Sequence, residues 1–74
     1  MNAQRRKKLQ KAVELLNEAW SLIEEAKDEE QESFDNLPEG IQYSERGETM
    51  EENISTLEEQ IDCISDMVDA LEEM

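Results

Sequence analysis

The chain has no histidine, one cysteine, one proline, two glycines and no long apolar run among its 74 residues. Without histidine, imidazole metal ligands and histidine general bases are excluded. The single cysteine, Cys63, excludes an internal disulfide and favours a reducing, cytoplasmic setting. No apolar stretch approaches the ~20 residues of a membrane span, and none follows the basic N-terminus, so we expect neither a membrane contact nor a signal peptide. The scarcity of proline and glycine favours helix.

Basic residues are also scarce beyond the N-terminus. The net charge is −14, and 21 acidic residues stand against seven basic ones, of which only Lys27 and Arg46 lie beyond the first eleven residues. An acidic body repels nucleic acid and membrane surfaces and attracts basic protein surfaces. The expected partner is therefore a basic protein surface. The other five basic residues form the basic segment, which comprises Arg5, Arg6, Lys7, Lys8 and Lys11.

What the chain does contain is a regular heptad pattern in its last third. Apolar residues recur there at alternating spacings of four and three, and the residues between them are mostly acidic or small and polar. Such spacing places one apolar row on one face of a helix. A chain of this size cannot leave that row in water, so it is expected to pack against another helix. The Met50 row comprises Met50, Ile54, Leu57, Ile61, Ile64, Val68 and Leu71.

A second amphipathic helix is predicted over residues 3–35, and its apolar face is wider. Two apolar rows run side by side along it, each with spacings of three and four. Because two adjacent rows exceed what one antiparallel neighbour covers, this helix is expected to contact two partners. The Leu9 row comprises Leu9, Val13, Leu16, Trp20 and Ile23, and the Leu15 row comprises Ala12, Leu15, Ala19, Leu22 and Ala26.

The heptad pattern breaks over residues 36–43, which we predict as a loop or a single helical turn. A proline disfavours helix at Leu37, and Gly40 permits a chain reversal. The apolar residues Leu37, Ile41 and Tyr43 are expected to cover the end of the hairpin there.

The C-terminal helix is predicted over residues 44–72. Ser44 is a good N-cap residue, with acidic residues in the turn that follows it. Thr49 also fits a capping box and is the alternative start. Gly47 weakens the helix between these two positions by about 1 kcal/mol relative to alanine.

Together these elements predict a single all-α domain over residues 1–74, an antiparallel, coiled-coil-like helical hairpin. A short connection keeps the two helices at high effective concentration, which favours pairing within the chain. Antiparallel pairing places Leu71 and Met74 near Leu9 and Val13. It also places the C-terminal acidic residues near the basic segment, where charge pairs would orient the two helices.

A further row borders the Met50 row and becomes more apolar toward the C-terminus. The Met67 row comprises Gln60, Cys63, Met67, Ala70 and Met74. With the Leu15 row it offers a surface for a second copy, so the hairpin is predicted to dimerise into a four-helix bundle. The residues predicted to mediate self-association are Leu15, Ala19, Leu22, Ala26, Cys63, Met67 and Ala70.

No pattern in the chain indicates catalysis or a bound metal. The spacing of an EF-hand loop is missing, and a di-iron bundle needs histidine. Cys63 has no basic neighbour in sequence that would activate a thiolate. We therefore expect a protein that is not an enzyme and holds no cofactor.

Uncompensated carboxylates are the strongest functional signal. Beyond Arg46 the chain has no basic residue, although like charge at helical spacing destabilises a helix and structural helices usually include lysines. Acidic residues three or four apart lie about 5–6 Å from each other along a helix, which resembles phosphate spacing. The acidic surface comprises Glu51, Glu52, Glu58, Glu59, Asp62, Asp66, Asp69, Glu72 and Glu73. It predicts either an ordinary solvated face or a mimic of nucleic acid.

The basic segment has two interpretations. Basic clusters contact phosphates in nucleic-acid-binding proteins. Here the cluster has no aromatic neighbours and belongs to a body of opposite charge, so direct nucleic-acid binding is disfavoured. Pairing within the hairpin is the favoured role, and removal of residues 1–8 would separate the two.

The run DEEQESFDNLPEGIQYSERGE, from Asp28 to Glu48, followed by the heptads, resembles small acidic, mostly uncharacterised helical-hairpin proteins of Gram-positive bacteria and their prophages. The specific part of the resemblance is Phe34 to Gly47. The resemblance implies a helical hairpin in a bacterial host cell and a phage or mobile-element setting, and it assigns no catalytic residue. Among small acidic phage proteins are inhibitors of CRISPR nucleases and restriction enzymes.

These observations lead to two functional hypotheses. The first is a non-enzymatic, acidic protein-binding module, encoded by a phage, that mimics nucleic acid and blocks a host nucleic-acid-binding or defence protein of the anti-CRISPR or anti-restriction type. The alternative is a structural or assembly protein that acts through coiled-coil self-association.

Overall fold

The computed structural model describes residues 1–74 and contains three helices and no strand: α1 (Ala3–Asp35), α2 (Glu39–Gln42) and α3 (Glu45–Glu72). α1 and α3 pack against each other along their length in a body of 58 × 14 × 13 Å. The predicted all-α helical hairpin is therefore confirmed.

α1 begins and ends with hydrogen-bonded caps. Asn2 has an extended backbone, and its side-chain oxygen accepts a hydrogen bond of 2.9 Å from the backbone N–H of Arg5. At the other end the N–H of Asn36 donates to the carbonyl oxygen of Glu32, and the N–H of Leu37 donates to that of Phe34. These contacts satisfy backbone groups that a helix end leaves without partners, so the bounds of α1 follow from local chemistry.

The connection between the long helices is partly helical. α2 occupies half of the predicted loop, and Gly40 lies within it. No residue in the chain has a positive φ, so the reversal does not use the left-handed conformation that glycine permits. Leu37 is half-buried, whereas Ile41 is 38% exposed and Tyr43 is 77% exposed. The expectation that all three apolar residues cover the end of the hairpin is therefore wrong for Ile41 and Tyr43.

At the start of α3, the N-cap side chain is hydrogen-bonded to the preceding turn and not to α3. Ser44 is the N-cap residue, as we predicted, and Thr49 lies inside the helix. The Ser44 hydroxyl, however, makes no capping bond and donates instead to the carbonyl oxygen of Ile41. The serine thus stabilises the end of α2 while its backbone begins α3.

Gly47 is the contact point between α2 and α3. It is buried, and a Cβ at this position would collide with the backbone of Gln42, its carbonyl oxygen above all. The side chain of Gln42 in turn donates a hydrogen bond of 3.1 Å to the carbonyl oxygen of Phe34. The glycine that weakens α3 locally is therefore required for α2 to pack against α3.

Two side-chain hydrogen bonds join α1 to α3 and define their register. The indole N–H of Trp20 donates to the Ser65 hydroxyl oxygen over 3.1 Å, and the side-chain amide of Asn53 donates to a Glu30 carboxylate oxygen over 3.0 Å. Trp20 therefore lies level with Ser65 and Glu30 level with Asn53, which is the antiparallel arrangement.

The core of the hairpin is small. Its buried hydrophobic residues are Met50, Ile54 and Ile61, and no side chain is completely buried. The accessible surface is 5679 Å², compared with about 4,700 Å² for a compact monomer of this mass. The radius of gyration is 17.0 Å, where a compact chain of this length has about 11 Å. A single hairpin therefore leaves much of its apolar surface in water.

Candidate interaction surfaces

The Leu15 row and the Met67 row lie on the same side of the hairpin. A groove between the long helices is lined by Ala26 and Glu29 of α1 and by Asn53 and Thr56 of α3. Ala26 belongs to the Leu15 row, and Asn53 and Thr56 lie one heptad before Gln60 and Cys63 of the Met67 row. We call the surface formed by these two rows the apolar face.

The large side chains of the apolar face are exposed. Leu15 is 52% exposed, Leu22 is 65%, Met67 is 50% and Met74 is 61%. Most of the smaller residues between them are exposed as well, and Ala12 and Ala19 are half-buried. The residues predicted to mediate self-association are thus brought together on one side and left uncovered by the hairpin itself.

No acidic residue of α3 falls on the apolar face. In the heptad register of the Met50 row, the Met67 row and its continuation through Asn53 and Thr56 contain only uncharged residues. On α1 the row contains a single acid, Glu29, beyond Ala26. A charge at the centre of an apolar contact would have to be desolvated at high cost, so its absence is what a protein–protein contact requires.

The opposite side of the hairpin is polar. One groove there is lined by Asn17 of α1 and Ser65 of α3, next to the Trp20 hydrogen bond. A second groove is lined by Gln31, Glu51 and Glu58, among others. The hairpin is therefore amphipathic as a whole body, with one apolar and one polar side.

The acidic surface extends over the polar side and the back of α3. All nine of its carboxylates are exposed, and none makes a side-chain hydrogen bond or an ion pair. From Glu51 to Glu73 the surface extends over about 33 Å at the helical rise of 1.5 Å per residue. Such a surface attracts cationic partners, with a strength that falls as salt is added.

The basic segment lies where we predicted, but it forms no ion pair with α3. Leu71 and Met74 line one groove with Leu9 and Val13, which confirms the predicted placement. The two ion pairs of the chain, Lys11 with Glu14 and Lys27 with Asp28, are both within α1 at 3.6 Å. The Lys11 and Glu14 side chains are each 68% exposed, and exposed pairs contribute little because water screens them.

The structure contains neither a metal-binding cluster nor a membrane-spanning helix. No group of three or more cysteine, aspartate or glutamate side chains is arranged to hold a metal ion. No helix combines the length and the apolar composition that crossing a bilayer requires.

Sequence reasoning missed the polar residues that join the helices. Glu30 continues the spacing of the Leu9 row and would be expected to interrupt the core, yet it is half-buried and accepts the bond from Asn53. Trp20 was expected in the core and is half-buried, with its indole N–H directed to Ser65. Because Glu30 is a polar residue at a core spacing, the sequence indicated that it needs a hydrogen-bond partner. Asn53 could not be identified as that partner without knowing which residues of α1 and α3 lie level.

No family model, curated protein or solved structure matches this chain. The resemblance to small acidic proteins of Gram-positive bacteria and prophages therefore stays a prediction, and the function must be inferred from the two surfaces.

Proposed function

We propose that the chain is a non-enzymatic protein-interaction module that works as a dimer. Two hairpins associate through their apolar faces into a four-helix bundle, and each bundle presents two acidic surfaces to a basic protein surface. The observation that carries the proposal is the segregation of the hairpin surface, with exposed Leu15, Leu22 and Met67 on one side and unpaired carboxylates on the other.

The small core supports the dimer. A hairpin that buries only three hydrophobic residues exposes about 1,000 Å² more surface than a compact monomer of its mass. Covering the apolar face with a second copy removes leucine and methionine side chains from water, at about 25 cal/mol per Å² of apolar area. No α3 carboxylate has to be buried in that contact.

Self-association is tested by replacing the two exposed leucines of α1. Leu15→Glu with Leu22→Glu places four carboxylates in the dimer contact, so we expect a monomer that keeps its helix content. The matched control is Ser21→Glu, an exposed position of α1 outside both apolar rows. The measurements are sedimentation equilibrium and circular dichroism. A wild-type protein that stays monomeric at 100 µM or above would contradict the proposed dimer.

The acidic surface supports a finer proposal, that the module is an inhibitor which occupies the nucleic-acid groove of a host protein. Its carboxylates are exposed and have no cation partner, so they are free to pair with lysine and arginine side chains that otherwise hold phosphates. Association of this kind is fast and salt-sensitive. The expected target class is a nucleic-acid-binding or defence protein.

This finer proposal is tested against a panel of nucleases and other nucleic-acid-binding proteins at low and high salt. Reversal of Glu58, Glu59, Asp62 and Asp66 to lysine is expected to abolish binding, and duplex DNA is expected to compete with the wild-type module. The matched control changes the net charge equally on the other helix, by reversing four exposed acids of α1: Glu14, Glu18, Glu25 and Glu32. Equal loss in both variants would indicate an effect of net charge alone and would count against a specific surface.

The apolar face also favours a second candidate function, an assembly protein that acts by self-association alone. In that case the leucine variant loses function, whereas the lysine reversals on α3 leave it intact. The two candidates therefore differ in which surface tolerates substitution.

A further inference from the structure

We infer that the partner on the apolar face is a second copy in one defined arrangement: the two α1 helices run antiparallel, a two-fold axis passes by Ala19, and Lys8 of each copy lies opposite Glu29 of the other. This inference rests on the dimer proposed above and adds its symmetry and register. It also assigns a role to Lys8 of the basic segment, which has no interhelical ion pair in the single hairpin.

Along the apolar face, the side-chain sizes of α1 are nearly symmetric about Ala19, and the charged residues at the two ends have opposite sign. Reading the row outward from Ala19 gives Leu15 and Leu22, then Ala12 and Ala26, on the two sides. In an antiparallel pair each leucine therefore lies opposite the leucine of the partner, and each alanine opposite an alanine, which lets the two backbones approach closely.

The same row continues into charged residues of opposite sign. Lys8 lies eleven residues before Ala19 and Glu29 ten residues after it, at about 16 and 15 Å from the axis. An antiparallel pair thus brings each lysine level with a glutamate of the partner, at both ends of the contact. Arg5 extends the cationic end by one more turn. Charge complementarity of this kind sets register and orientation more than affinity.

α3 meets the same two-fold axis. Trp20 is hydrogen-bonded to Ser65, so Ser65 lies within about one residue of the height of Ala19 along the hairpin. The uncharged part of the Met67 row is centred on that height, with Cys63 on one side and Met67 on the other. The axis that pairs the α1 helices therefore also places Met67 against Cys63 of the partner, without bringing any α3 carboxylate into the contact.

A two-fold axis parallel to the helices is the competing arrangement, and it leaves Glu29 without a cation opposite it. It would place α1 beside α3 of the partner, with residues at the heights they already have in one hairpin. Lys8 would then lie near the chain end at Met74, since Leu9 shares a groove with that residue. Glu29 would lie beside Asn53 and Thr56, as it does within its own hairpin. Lys8 would meet the acidic chain end, where Glu72 lines the same groove, but Glu29 would meet no cation.

The size of the face suits a stable dimer. The hairpin measures 58 by 14 Å, which gives one side a projected area of about 800 Å². Specific protein–protein interfaces of standard size bury about 800 Å² on each partner. Overlap of two hairpins along the whole of this side therefore reaches the standard size, and the row from Lys8 to Glu29 supplies about 32 Å of its length.

The register is tested by cysteine cross-linking in a Cys63→Ser background, after sedimentation equilibrium has established that this variant dimerises like the wild type. Ala19→Cys lies at the axis and is expected to form a covalent dimer on mild oxidation. Differently tagged Ala12→Cys and Ala26→Cys copies are expected to form a mixed covalent dimer. Either variant alone is expected to stay uncross-linked, since identical residues at these positions lie about 21 Å apart, well beyond the ~7 Å between Cα atoms that a disulfide allows.

The charge pairing is tested by reversal and exchange. Lys8→Glu and Glu29→Lys are each expected to weaken the dimer roughly tenfold at low salt, because each creates two like-charge contacts per dimer. The double variant carries both reversals and is expected to restore the affinity to within about threefold of wild type. Lys7→Glu, outside the apolar face, is the control and is expected to leave the affinity unchanged.

The outcomes separate this inference from the proposed function. Cross-linking between two Ala12→Cys copies would overturn the arrangement, and so would a failure of Ala19→Cys copies to cross-link. In either case the proposed dimer itself would stand. Failure of the double reversal to recover affinity also overturns the arrangement. A wild-type chain that is monomeric in sedimentation contradicts the dimer itself.

Discussion

The two long helices carry apolar rows of similar regularity, but only α3 contains buried residues. α3 contains all of the buried residues of the hairpin: Gly47, Met50, Ile54 and Ile61. α1 contains none, although its apolar face is wider. The difference arises because α3 packs against α1 on one side and against α2 near its start, whereas α1 has α3 as its main neighbour. A helix with two apolar rows and one such neighbour must expose the second row, and this exposed Leu15 row lies beside the exposed Met67 row of α3.

The largest difference between the two helices is expected when one apolar residue of each is truncated to alanine and the free energy of unfolding is measured. Ile61→Ala removes a side chain that is 8% exposed, so we expect a loss of about 3 kcal/mol in the free energy of unfolding, independent of protein concentration. Leu22→Ala removes a side chain that is 65% exposed, so the single hairpin is expected to lose far less. Urea unfolding followed by circular dichroism measures both.

The dependence of stability on protein concentration also distinguishes the exposed row of α1 from the buried residues of α3. If a second copy covers α1, the stability of the wild type rises with concentration, and Leu22→Ala reduces this dependence while Ile61→Ala keeps it. Equal losses for the two variants in dilute protein would contradict the view that the hairpin itself covers Ile61 and leaves Leu22 uncovered.

An intermediate effect is expected at the contact of α2 with α3. Gly47→Ala places a Cβ against the Gln42 carbonyl oxygen, so α2 has to shift and the hairpin is expected to lose about 1–3 kcal/mol. Gly40→Ala is the matched control, because a Cβ there has nothing within 4 Å and alanine favours helix. Thermal unfolding of the two variants gives the comparison, and a neutral Gly47→Ala would show that α2 does not complete the packing of α3.

The smallest effect is expected at the hydrogen bond that joins the helices near their middle. Ser65→Ala removes the acceptor of the Trp20 indole N–H, and we expect a loss of about 0.5–1.5 kcal/mol. Ser55→Ala is the control, since this exposed serine of α3 makes no side-chain hydrogen bond. Tryptophan fluorescence and urea unfolding report on the change. Identical stability of the two variants would mean that the bond does not contribute to the register.

Much of the fold was predictable because helical amphipathicity is a local property. The rows of α1 and α3 follow from spacings of three and four, and the position of Ser44 as N-cap follows from residue type. The predicted neighbours at the chain ends, Leu71 and Met74 beside Leu9 and Val13, follow from antiparallel pairing with a short connection. The candidate surfaces were visible in the same pattern, since the Leu15 row lay outside the predicted hairpin core.

The missed details depend on contacts between distant residues. The Ser44 hydroxyl donates a hydrogen bond to the Ile41 carbonyl oxygen at the end of α2, which no N-cap rule anticipates. The predicted charge pairing of the C-terminal acids with the basic segment did not form, because exposed ion pairs gain little over hydration. Gly47 was interpreted as a weak point of its helix and is instead a required close approach.

By itself the sequence determined the two long helices, their antiparallel pairing and the separation of apolar from acidic residues, because a period of 3.6 residues sorts side chains onto faces before any tertiary contact forms. Only the tertiary structure decided the register, through Trp20 with Ser65 and Glu30 with Asn53, and the exposure of the Leu15 row. Both depend on which residues lie level across the hairpin. That same height relation places the centres of the α1 and α3 rows side by side, which is the basis of the proposed dimer.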